Sequence, residues 1–136
     1  MADQNQVASE IASSAPLILV VEDDKFLRDL LAYKIEERGY RMEVAVDGEE
    51  GIKQIKTLKP DLVLLDLILP GIDGFGVLGQ VHDDPQISQI PVIILSNLGQ
   101  QEEIEKGLSL GAEDYMIKAH FTPQEVVDRI KKILGR

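Results

Sequence analysis

Three short apolar runs constrain this chain more than any other feature: Leu17-Ile18-Leu19-Val20-Val21, Leu62-Val63-Leu64-Leu65 and Val92-Ile93-Ile94-Leu95. Runs of this length, rich in branched residues and bounded by Pro, Asp or Gly, suit strands buried on both faces. Buried helix segments are the competing reading. Pro16, Pro60 and Pro91 stand at or near the start of the runs and argue against helix continuation. Two more segments, Arg41 to Val46 and Tyr115 to Ile117, are shorter or more polar and are predicted at the sheet edges.

Helical patterns fill the intervals. Phe26, Leu27, Leu30, Leu31 and Ile35 recur at helical spacing, and Gly39 ends that segment. Asp47-Gly48-Glu49-Glu50 resembles a capping box opening a helix through Ile52, Ile55 and Leu58. A third helix, about Gly74 to His82, contains Gly74, Gly76 and Gly79, each costing roughly 1 kcal/mol against Ala. A fourth runs from about Gln101 to Leu110 and stops at Gly111. The last opens on Thr122-Pro123-Gln124-Glu125, a capping box with Pro in the first turn, and continues to Leu134. Alternation of this kind predicts one α/β domain, a doubly wound five-stranded parallel sheet with helices on both faces.

A length of 136 residues fits a single domain with a sufficient core. Residues 1–15 are small and polar apart from Val7 and Ile11, and are expected to form a disordered tail before a domain over residues 16–136. The absence of cysteine excludes disulfides, thiolate metal sites and cysteine nucleophiles. A formal charge of −10 opposes direct contact with nucleic acid or anionic lipid. No apolar run approaches membrane-spanning length and no secretory signal is visible, so a cytoplasmic location is expected.

Ligands of an open parallel sheet lie outside the carboxyl ends of its strands. Here those ends carry Glu22-Asp23-Asp24, Asp66, Ser96 and Lys118. Converging carboxylates raise one another's pKa unless a cation is present, and Mg²⁺ is the natural hard ion for such oxygens. A carboxylate can also act as a nucleophile and form an acyl phosphate. Singly, each group has a plainer role: Asp24 as a helix cap, Glu22 and Asp23 as a solvated pair, Ser96 as a turn residue, Lys118 as a surface lysine. Four complementary strand ends make coincidence a poor explanation. His82 and His120 have no second histidine at metal-ligand spacing, and glycine-rich phosphate loops are absent.

The stretches Ile18–Asp24, Asp61–Gly74 (DLVLLDLILPGIDG), Pro91–Ser96 and Gly111–Lys118 (GAEDYMIK) closely resemble a response-regulator receiver domain of two-component signalling, over about Pro16 to Leu134. The resemblance implies a flavodoxin-like sheet of strand order 2-1-3-4-5. It implies that Asp66 is the phosphoacceptor and that Mg²⁺ (or Mn²⁺) is held by Asp23, Asp66 and the Ile68 backbone carbonyl, with Glu22 acting through water. Ser96 and Lys118 then bind phosphoryl oxygens, Tyr115 turns inward with Ser96 as a switch, and Ile68, Asn97 and Leu98 flank the water path to the phosphoryl group. The implied partners are a histidine kinase or histidine phosphotransfer protein, and a downstream protein at the helix 4–strand 5–helix 5 face.

Three departures from the family pattern stand out. Lys118-Ala119-His120-Phe121 replaces the usual lysine and cis proline, with one extra residue. A cis bond before a non-proline residue costs about 3–4 kcal/mol, so the Lys118–Ala119 peptide is expected to be trans, with the ammonium still reaching the acidic cluster. Asn97 stands where Ala or Gly is usual, and the third helix has unusual glycines. Two rival functions remain: a degenerate receiver serving as a constitutive docking module, and a Mg²⁺-dependent phosphatase of the haloacid dehalogenase type. The latter expects a second Asp where this chain has Ile68.

Overall fold

The computed structural model describes residues 14–136, so the tail expected over residues 1–15 lies, but for its last two residues, outside the described residues. Those two are tied down: the Ala15 carbonyl accepts from Arg41 Nε at 2.8 Å and the Ser14 carbonyl from Arg136 Nη2 at 3.1 Å. The strands are β1 (Leu17–Val21), β2 (Arg41–Ala45), β3 (Leu62–Leu65), β4 (Val92–Ser96) and β5 (Asp114–Ile117). The helices are α1 (Lys25–Glu37), α2 (Gly48–Leu58), α3 (Gly74–Asp83), α4 (Gln101–Ser109) and α5 (Pro123–Leu134). A short 3₁₀ turn, Lys118–His120, joins β5 to α5.

All strand pairs are parallel in the order β2-β1-β3-β4-β5, so the three apolar runs are central and the two polar strands form the edges. Side chains alternate across the sheet with period two. Leu19, Val21, Val63, Leu65, Val92 and Ile94 face one way and bury Ile52 and Ile55 of α2 and Val77, Leu78 and Val81 of α3. Ile18, Val20, Leu62, Leu64, Ile93, Leu95 and Met116 face the other and bury Leu31 and Ile35 of α1 and Val126, Val127 and Ile130 of α5. Complete burial of such a side chain contributes roughly 1.5–3 kcal/mol, which makes these two layers the main source of stability.

Several boundaries differ from expectation for physical reasons, and packing selects one of two apolar stripes on the first helix. β2 stops at Ala45 because the Val46 amide turns to the Glu50 carboxylate, 3.4 Å away. That carboxylate is therefore not closing the full capping box expected at α2, although Asp47 does cap the Glu50 amide at 2.8 Å. β5 begins one residue early, at Asp114, whose carboxylate is paired with Arg129 of α5. On α1 the core stripe is Leu27, Leu31 and Ile35, whereas Phe26 is 78% exposed and Leu30 37%. A helical turn carries 100° per residue, so positions 26 and 30 follow the adjacent face rather than the buried one.

Candidate functional site

Each strand ends where its ladder stops, and the residue placed there reaches the same rim. Glu22 follows β1 and donates its amide to the Ala45 carbonyl of β2 at 3.0 Å. Asp66 follows β3 and donates its amide to Val21 of β1 at 3.1 Å. Ser96 ends β4 fully buried, and Lys118 follows β5. The topology thus gathers four separated segments at one edge, as the strand ends promised.

Asp66 is 5% exposed and makes a full set of contacts. One oxygen accepts the Leu67 amide at 2.7 Å and the Ile68 amide at 3.3 Å, and the other accepts Lys118 Nζ at 2.8 Å. Lys118 also bridges to Glu22 Oε2 at 2.8 Å, so one ammonium serves two buried carboxylates. Glu22 uses its second oxygen to accept the Asp24 amide at 3.1 Å. Burial pushes the Glu22 carboxyl above its ordinary value, Lys118 opposes that shift, and the Asp66 charge adds to it. Burial pulls the Lys118 ammonium down, but its bonds to Asp66 and then Glu22 outweigh this and leave it raised.

Asp23 is exposed, and its carboxylate joins those of Glu22 and Asp66 with one oxygen from each within 4.8 Å of the others. A set made only of carboxylate oxygens, with a single ammonium shared by two of them, fits a hard divalent cation. Asp24 does not belong to this set. Its side chain caps α1, accepting the amides of Phe26 at 3.0 Å and Leu27 at 3.3 Å.

On the β4–β5 side, Ser96 Oγ accepts the Leu98 amide at 3.3 Å, and the Tyr115 hydroxyl donates to the Leu98 carbonyl. Burial first, then the charges of Glu103 and Asp66, raise the Tyr115 pKa, which keeps that hydroxyl a donor. The ring of Tyr115 lies near Gly107 of α4, where an added Cβ would stand 3.3 Å from it. Ile68 is 58% exposed and Asn97 is exposed, while Leu98 is half-buried and packs on the α2–α3 core. No described peptide bond is cis, so Lys118–Ala119 is trans, and the ammonium reaches both acids despite the missing proline. His120 sits exposed in the 3₁₀ turn, and His82 lies near the end of α3, 3.6 Å from Asp83.

Sequence reasoning missed Arg28 of α1. Its Nη1 donates to the backbone carbonyls of Glu22 at 3.1 Å and Asp23 at 3.0 Å. A basic residue one turn into the helix that follows an acidic bend was the available signal.

The fold and rim define a class first: a doubly wound α/β domain with an oxygen-rich acidic site at the carboxyl edge of its sheet. The family model described as response regulator receiver domain matches residues 18–131. This chain belongs to the response regulator receiver domain family. It is 45% identical over 121 residues to the alkaline phosphatase synthesis transcriptional regulatory protein PhoP of Bacillus subtilis, covering 88% of this chain and 48% of that protein. It is 39% identical over 121 residues to the DNA-binding dual master transcriptional regulator RpaA of Synechocystis sp., covering 89% of this chain and 50% of that protein. The solved receiver domain of Francisella response regulator 1452 superposes with a TM-score of 0.82 at 35% identity, covering 89% of this chain and 98% of that one. The chain spans about half the length of these curated relatives. Among the described residues, no helix is long and apolar enough to cross a membrane.

Proposed function

We propose that the domain, residues 16–136, is a phosphorylation-dependent switch in which Asp66 accepts a phosphoryl group from the phosphohistidine of a histidine kinase or histidine phosphotransfer protein. The observation that carries this reading is the placement of Asp66: buried at the end of the central strand, bonded to Lys118, and grouped with Glu22 and Asp23. In the transfer, an Asp66 carboxylate oxygen forms a bond to phosphorus while the phosphorus–nitrogen bond breaks, and its electron pair leaves with the imidazole. Lys118 stays close to the reacting oxygens and offsets their charge. Asp23, Asp66 and the Ile68 carbonyl are the groups to hold Mg²⁺ or Mn²⁺, with Glu22 acting through water. When bound, that ion supplies charge neutralisation on the phosphoryl oxygens.

The readout follows from hydrogen bonds that converge on one residue. Ser96 holds the Leu98 amide and Tyr115 holds the Leu98 carbonyl. A Ser96 hydroxyl drawn toward the phosphoryl group releases the first of these bonds and alters the loop that anchors the second. The populations of two conformations then shift, and the α4–β5–α5 face presents the change to a downstream protein.

Beryllofluoride, which mimics a phosphoryl group, separates this function from that of a degenerate docking module. Titration in the presence of Mg²⁺ should give saturable changes in the amide resonances of Ser96, Leu98 and Tyr115. Binding that needs no Mg²⁺, or no binding at all, would contradict the reading.

A further inference from the structure

We infer that Arg28 is a positioning residue for the cation site: its guanidinium fixes the peptide groups of Glu22 and Asp23 and so aims the Asp23 carboxylate at Asp66. The inference rests on the proposed cation site and deepens it. The ladder between β1 and β3 ends at the pair Val21 and Leu65, and the first helical bond of α1 is Arg28 N–H to the Asp24 carbonyl. The Glu22 and Asp23 carbonyls fall in the gap between strand and helix. There a single nitrogen of half-buried Arg28 accommodates both, at 3.1 and 3.0 Å. The contact to Glu22 is half-buried, where a carbonyl needs such a partner, the contact to Asp23 is exposed, and in both a charged donor makes a stronger bond than a neutral one.

The neighbouring side chains are held by other means. The Glu22 carboxylate has the Asp24 amide and Lys118, and the Asp24 carboxylate has the cap of α1. Asp23 is exposed, and its carboxylate reaches the cluster from a Cα–Cβ direction that the backbone sets. Fixing two consecutive peptide planes fixes that direction before a cation arrives and leaves only the χ1 and χ2 rotations of the side chain.

Charge and positioning make opposite demands, which gives the inference a sign. A guanidinium beside a cation site repels the cation, so on charge alone its removal tightens Mg²⁺ binding. On positioning, its removal loosens binding.

The test is calorimetric titration of MgCl₂ into the full chain: wild type, Arg28→Ala, Arg28→Lys, Arg28→Gln, Asp23→Asn, and the Asp23→Asn/Arg28→Ala pair. Melting by circular dichroism checks that each is folded. Arg28→Ala should weaken Mg²⁺ binding about tenfold, the lower end for loss of a group that orients a metal ligand. Arg28→Lys, whose ammonium can donate to both carbonyls, should recover most of the loss, and Arg28→Gln should recover part of it without the charge. Adding Arg28→Ala to Asp23→Asn should cause little further loss, because the two residues act as one unit. Equal or tighter binding by Arg28→Ala would overturn the inference, as would the same fold-loss in the Asp23→Asn background. Should Arg28→Ala not fold, Lys binding no better than Gln overturns it. Wild type that takes up no Mg²⁺ overturns the proposed function and this inference together, whereas normal uptake by wild type and Arg28→Ala alike overturns only the latter.

Discussion

Lys118 is the residue on which the acidic rim balances, since its ammonium is the shared counter-charge of Glu22 and Asp66. Breaking a buried ion pair by removing one partner costs about 3–5 kcal/mol. The Lys118 side chain retains 17% exposure, so water can enter and the loss on Lys118→Ala should fall near the lower bound, about 3 kcal/mol. Urea unfolding without Mg²⁺ checks this, and added Mg²⁺ should restore more stability to Lys118→Ala than it adds to wild type. An unchanged midpoint would show that the pair contributes nothing. A second residue-scale prediction concerns phosphoryl lifetime. Hydrolysis needs a water aligned behind phosphorus, and positioning of that kind is a large share of catalysis. With Ile68 offering no hydrogen bond and Asn97 adding bulk where the family prefers Ala or Gly, the phosphorylated form should persist well beyond seconds. Asn97→Ala should shorten that lifetime in a radiolabel chase. Leu98→Glu should do likewise, but Leu98 packs on the core, so Asn97→Ala is the cleaner variant. Decay of wild type within seconds, or no acceleration by either change, would contradict this reading of the path.

At the scale of elements, the glycines of α3 have opposite meanings. A Cβ on Gly74 would lie 2.3 Å from the Asp66 carbonyl oxygen and 2.6 Å from Leu67 Cα, both backbone atoms that have nowhere to go. Gly79 has nothing within 4 Å and a helical backbone. Gly79→Ala should therefore stabilise the protein by about 0.5–1 kcal/mol, whereas Gly74→Ala should destabilise it by about 1–3 kcal/mol and disturb Asp66. Thermal melts of the two single variants decide the matter, and equal effects would contradict it. Helix α4 is the least anchored of α1 to α5: Gly107 is its only buried residue, against at least two in each of the other four. Its amides should show the fastest hydrogen exchange of the five helices α1 to α5 among the described residues. The strands and the alternation were legible because doubly buried strands need continuous apolar runs. The ends of β2 and β5 were not, because side chains decide them, Glu50 by taking an amide and Arg129 by pairing Asp114. The buried face of α1 was not legible for a related reason: Phe26 and Leu30 match the period, but only the packing of α5 and the sheet decides which of two adjacent apolar stripes is buried.

Across the whole molecule, the site was readable because topology makes it so. A parallel sheet sends every strand's carboxyl end to one rim, so Glu22, Asp23, Asp66, Ser96 and Lys118 could be grouped from the apolar runs they follow. What sequence could not supply was the wiring: that one ammonium spans two acids, that Ser96 and Tyr115 meet at Leu98, and that Arg28 holds the acidic bend. The three carboxylates meet only in the folded chain, so on the proposed cation site Mg²⁺ at about a hundred times its dissociation constant should add about 2.7 kcal/mol of stability. The central claim, that Asp66 is the phosphoacceptor, is tested most directly by intact-mass measurement after incubation with a small phosphodonor and Mg²⁺. Wild type should gain one phosphoryl group and Asp66→Asn none. A phosphoryl group on Asp66→Asn, or a wild type that gains none under the same conditions, would contradict it.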